Sequence, residues 1–190
     1  MERSALYRHA LAPIMLFAGA LGVAAAATGL WFHFDSTRAF GTLWLGTAIL
    51  VVAGAFLIAR RQAIGDREPF WSPPTKRVAQ ALLPSLTAGL IVGLAFTFSS
   101  AGLNLAPLLA FLWMLLYGSA LHAAGFFMPR GIKMFAWMFI TGACGLLIVS
   151  SLTKIEITFN VHELMGFFFG VLHLVYGAYL YLTEKRKNAA

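Results

Sequence analysis

Apolar positions in this chain do not recur with the period of an amphipathic helix or a half-buried strand; they run together in long blocks. Blocks at residues 11–31, 40–59, 81–99, 105–128, 134–152 and 164–182 hold no Asp, Glu, Lys or Arg. Each comes close to or exceeds the ~20 helical residues that cross a hydrocarbon core. An all-α, polytopic membrane bundle of six transmembrane helices is the predicted fold. The longest connection, 60–80, is too short for a separate soluble domain, so residues 1–190 form one transmembrane domain.

The polar residues between blocks read as helix caps. Asn160 and Glu163 form the N-x-x-E pattern that suits the start of the sixth helix, Asn104 suits the fourth, and Asp35 or Ser36 the second. Ser72 before Pro73 suits the third, because proline is tolerated at the first helical position. A competing reading of the start takes the alanines at 24–27 as a signal-peptidase site, which would leave five spans. The block is full length and continues through Gly29 and Trp31, which favours a span.

Similar segments close the even-numbered blocks: VVAGAFL at 51–57, LLYGSAL at 115–121 and LVYGAYL at 174–180. The openings of the odd blocks echo one another more loosely, through Pro13 and Pro84 and through GALG at Gly19 and GACG at Gly142. Three tandem helical hairpins are the predicted layout.

Composition supports lipid as the solvent: 60% of residues are hydrophobic and 11% charged, where a soluble domain carries about a quarter charged residues. The net charge of +7 does not point to nucleic acid, because the cations are sorted by membrane side. Arg3, Arg8, Arg60, Arg61, Arg67, Lys76, Arg77, Arg130, Lys133, Lys185, Arg186 and Lys187 fall on one side, and Arg38 and Lys154 on the other. The positive-inside rule then puts both termini in the cytoplasm, with a basic face that attracts anionic lipid head groups. The single cysteine, Cys144, lies inside the fifth block, which excludes an intrachain disulfide and a cysteine-based zinc site.

Candidate chemistry rests on histidine. In the sixth block His162, Gly166, Gly170, His173 and Gly177 follow spacings of 4, 4, 3 and 4, which puts them on one helix face. Gly118, His122 and Gly125 are spaced similarly in the fourth. Counting 1.5 Å per residue, His122 lies ~10 Å before Pro129 and His173 ~16 Å before Glu184, so the two fall at comparable depth. His122, His173, Gly118, Gly170 and Gly177 are therefore the candidate ligand-binding residues. The favoured role for the imidazoles is neutral interhelical hydrogen bonding, with Thr97, Thr141 or Ser119 as partners. The alternative is a bis-imidazole haem b site with His122 and His173 as axial ligands.

No metal or other cofactor is predicted; His33, Asp35, His162 and Glu163 form a weak metal candidate whose spacing fits no defined motif. Gly19, Gly22, Gly142, Gly145, Gly166 and Gly170 are predicted to mark helix-packing faces, including a GxxxG that suits contacts within one chain or between copies in a homo-oligomer. No block holds a carboxylate to couple protons, which leaves a passive path, a ligand pocket or a small-solute carrier as the transport-like options.

The stretches PFWSPPTKRVAQALLPSL, LYGSALHAAGFFMPRGIKMFAWMF and LHLVYGAYL resemble a group of small bacterial six-span integral membrane proteins, over roughly the final two-thirds of the chain. The resemblance implies a bacterial inner-membrane location, a comparable multi-helix fold and, since some members are encoded beside winged-helix regulators, a role compatible with sensing or stress. It carries no site residues with it. The layout is also similar to the acid-resistance membrane protein family, by architecture alone. The expected protein is thus a non-enzymatic membrane protein that binds or passes a small ligand or lipid, or partners another membrane component.

Overall fold

The computed structural model describes residues 6–65, 67, 69–100, 102–128, 131–152 and 160–188. Arg3, Pro129, Arg130 and Lys154 lie outside them. The chain is all-α, with six helices long and apolar enough to cross a membrane. In order they are α1 (Leu6–Trp31), α2 (Thr37–Gly65), α3 (Pro73–Thr97), α4 (Ala106–Ala124) and α5 (Gly131–Leu152), and a sixth span in three parts. Those parts are α6 (Val161–Met165), a π-helical segment (Gly166–Val171) and α7 (Leu172–Asn188).

The caps fall where polar residues interrupt the apolar blocks. Ser36 Oγ accepts from Ala39 N–H at 3.2 Å and Asn160 Oδ1 from His162 N–H at 2.8 Å. Asn104 Oδ1 accepts from Ala106 N–H at 3.1 Å, while Thr37 Oγ1 at the start of α2 takes the Leu105 N–H at 2.7 Å. Ser72 is the N-cap residue of α3 with proline behind it, but its hydroxyl pairs with Thr75 Oγ1 and not with a backbone N–H. The connections at this end are tied together: Asn104 Nδ2 donates to Asp35 O and Asn160 Nδ2 to Asp35 Oδ1.

Both prolines expected near helix starts sit deeper. Pro13 lies about two turns into α1, and Pro84 about three turns into α3. Each removes one i→i−4 bond, freeing the carbonyls of His9 and Gln80.

The helices form a ring. α1 packs on α2 and along the whole sixth span, α2 on α3, α3 on α4, and α4 on α5. Close backbone approach is therefore not confined to the three predicted hairpins: α4 with α5 and α1 with the sixth span are as intimate as any pair within them. α5 meets the sixth span through side chains, with Phe135 stacked on Tyr176 at 4.6 Å between ring centroids and Phe139 edge-on to Phe168 at 5.4 Å. One buried cluster gathers Met114, Phe135, Phe139 and Phe168; another gathers Phe40, Trp44, Leu109 and Met165.

The predicted stripe of the sixth span is the face that packs. His162, Gly166, Gly170, His173 and Gly177 are all buried. A Cβ on Gly170 would stand 2.9 Å from Val23 N, one on Gly177 2.9 Å from Leu16 N, and one on Gly166 2.6 Å from Ala26 Cβ. From the other side, Gly19 faces the Leu174 N and Gly170 O, and Gly22 the Phe169 carbonyl. Glycine on both helices lets two backbones touch, and dispersion gains its full value only at such contact distances. The GxxxG is thus covered within the chain, by α1. Gly142 receives the Phe168 ring, whereas Gly145 meets nothing within 4 Å and marks no packing face in this chain, contrary to expectation.

Candidate functional site

Each buried histidine has both ring nitrogens engaged. Trp44 Nε1–H donates to His162 Nδ1 at 3.3 Å, so the proton is on Nε2, which reaches Phe34 O at 3.1 Å. His173 carries the opposite tautomer: its Nδ1–H donates to Phe168 O at 3.1 Å, and its Nε2 accepts from the Tyr117 hydroxyl at 2.7 Å. Phe168 belongs to the π-helical segment, where Leu172 N–H reaches back five residues to Phe167 O. The imidazole thus binds a carbonyl at the point where the helix changes register.

The expected hydroxyl partners lie elsewhere. Ser119 and Thr141 donate to carbonyls of their own helices, Leu115 O and Trp137 O. Thr97 Oγ1 is buried beside Gly41 with no hydrogen-bond partner among the described residues. Aromatic rings enclose His173: Phe135, Phe139, Tyr117 and Phe169 stand 5.0, 5.6, 5.5 and 6.1 Å away between centroids.

His122 does not join His173. Its ring is edge-on to Trp137 at 5.6 Å and to Phe126 at 5.8 Å, and the Lys133 ammonium sits 3.4 Å above the Phe126 ring. Trp137 is on the exposed face of α5, whereas Phe135 and Phe139, which touch His173, are on its buried face. The two imidazoles meet opposite sides of one helix. With that geometry, and with no free lone pair on His173, the pair does not fit two axial ligands of a haem.

The glycines expected to make ligand room are filled by neighbours. Gly118 lies against Ile140, Phe139 and Ala136 O, and Gly170 and Gly177 lie against α1. At the capped end, His33 is exposed with φ 51°, Asp35 is bonded to Asn160, and His162 faces inward. Among the described residues no three His, Cys, Asp or Glu side chains converge as metal ligands.

Room exists elsewhere. A cavity of about 220 Å³ lies among α1, α2, α3, α4 and the sixth span. Tyr117, His173, Phe169 and Trp113 line its buried end, and the exposed side chains of Val52, Leu86 and Leu90 line its mouth between α2 and α3. The Trp113 indole N–H donates to Gly89 O at 2.9 Å, and a Cβ on Gly93 would stand 2.8 Å from Trp113 Cζ2. Trp113 is therefore wedged against a glycine face of α3. Among the described residues, the cavity wall holds no Asp, Glu, Lys or Arg. Of its lining, the sequence pointed to His173 and Gly22; Tyr117, Trp44 and Trp113 carry no signature at the level of one sequence. No family model, curated protein or solved structure matches the chain.

Proposed function

We propose that this protein binds a small, lipid-like apolar molecule inside its helical bundle, admitting it sideways from the bilayer between α2 and α3. The observation that carries this reading is the cavity of about 220 Å³, apolar over most of its wall and lined at its mouth by lipid-facing residues. A cavity of ~150 Å³ is enough to hold a benzene ring in an engineered protein core, so the volume suits a ring or the end of an alkyl chain. A few polar groups set in an apolar pocket between helices are the usual make-up of a ligand site.

The protein acts in a bacterial inner membrane with both termini in the cytoplasm, and its basic face engages anionic lipid head groups. The sorting of cations supports this, with Arg60, Arg61, Lys76, Arg77 and Lys133 at one end of the spans and Arg38 at the other. Cysteine labelling at position 61 from inside the cell, and not from outside, is the expected outcome.

Ligand binding is tested by native mass spectrometry of protein released from gentle detergent, with equilibrium dialysis of an alkyl probe alongside. Wild type is expected to retain the probe, and Ala48→Phe, which fills the mouth, to lose at least tenfold in affinity while melting normally. Equal binding by the two proteins would remove the cavity from consideration.

A further inference from the structure

Resting on the binding reading above, we infer that the cavity selects neutral molecules with a hydroxyl head over carbonyl, ether or charged analogues, because the Tyr117–His173 pair leaves it an acceptor and almost no donor. The inference follows from where the protons are. His173 Nδ1–H is held by Phe168 O at 3.1 Å, so Nε2 has no proton and takes the Tyr117 O–H at 2.7 Å. The Tyr117 oxygen keeps lone-pair capacity but has no hydrogen left to give.

The other donors in the wall are committed as well. Trp44 Nε1–H goes to His162 Nδ1, Trp113 Nε1–H to Gly89 O, and the Thr47 hydroxyl to Leu43 O. Backbone N–H groups of the lining are taken up by helix. Only the Ser85 hydroxyl, half-buried on α3, makes no hydrogen bond among the described residues. A carbonyl or ether entering the buried end would find no proton, and its desolvated oxygen would go unpaired. A carboxylate or phosphate would in addition meet no cation in the wall. An alcohol, by contrast, donates to the Tyr117 oxygen and strengthens a chain that runs from ligand to tyrosine to imidazole to the Phe168 carbonyl.

Three compounds of nearly equal size separate these cases: octanol, heptyl methyl ether and methyl hexyl ketone, compared by equilibrium dialysis at matched free concentration in detergent. Octanol is expected to bind roughly fivefold more tightly than the ether, and the ketone no better than the ether. Ser85→Ala should preserve the octanol preference. The double variant Tyr117→Phe/His173→Leu should abolish it and keep ether binding, provided a normal melting profile confirms that it folds. Equal binding of all three by wild type, or a ketone above octanol, overturns the donor rule and leaves the cavity standing. Loss of the preference in Ser85→Ala overturns the role of the pair. If none of the three binds, the cavity reading falls and this inference with it.

Discussion

Glycine does opposite work on two sides of this bundle. Along α1 and the sixth span, Gly19, Gly22, Gly166, Gly170 and Gly177 let one backbone lie on another, with main-chain atoms within 2.9 Å of an added Cβ at Gly19, Gly22, Gly170 and Gly177. On α3, Gly89 and Gly93 face the Trp113 indole, a side chain that reaches across from α4. In the first arrangement backbone meets backbone; in the second a side chain makes the contact, and the same indole lines the cavity. Small residues thus state where something comes close, and the partner decides whether the result is a seam or a pocket.

The seam should be the more fragile under substitution. Gly22→Val is expected to cost about 3 kcal/mol or to prevent folding, because its added carbons meet the Phe169 carbonyl, which cannot rotate away. Thermal unfolding in detergent reads this, and a melting point within two degrees of wild type would show that the helices can part along α1.

Next in size is His162→Leu. The ring is fully buried and pairs with Trp44 Nε1 and Phe34 O, so its removal leaves a buried donor and a half-buried acceptor without partners. A loss of about 2 kcal/mol is expected, together with a shift in Trp44 fluorescence. Trp44→Phe, which strands only His162 Nδ1, should cost about half as much. Equal costs for the two variants would mean that the Phe34 bond contributes nothing.

How much of this could be read from the chain differs between the two regions for a physical reason. The sixth-span stripe was legible because its spacings follow the helical turn, and the π-helical segment, with its wider turn, keeps residues four apart in line. The caps at Ser36, Asn104 and Asn160 were legible because capping is local. The haem alternative paired His122 with His173 on depth alone, and depth can be counted along one helix, whereas facing depends on the helix in between. Here that helix is α5, which presents Trp137 to one imidazole and Phe135 to the other. The GLIVG at 89–93 has the spacing of a backbone seam and instead takes an indole, which no count of positions along α3 could reveal. Tyr117 was missed because a tyrosine in an apolar block carries no charge and no motif.

The smallest expected effect has the opposite sign. A Cβ at Gly89 would meet its nearest neighbour, Trp113 Cδ1, at 3.8 Å, an ordinary contact distance, and the Gly89 carbonyl that binds the indole N–H is untouched by the change. Alanine also loses less conformational freedom than glycine on entering a helix, so Gly89→Ala should be neutral or stabilise by about 0.5 kcal/mol. The same one-carbon change at Gly22 puts a methyl group against a main-chain carbonyl and should destabilise by about 2 kcal/mol. Measured side by side, the two alanine variants isolate the partner as the variable, since residue type, helix context and added volume are the same. If Gly89→Ala lowers stability as much as Gly22→Ala does, the indole beside α3 gives way no more than the main chain beside Gly22, and the kind of partner is not what decides the cost.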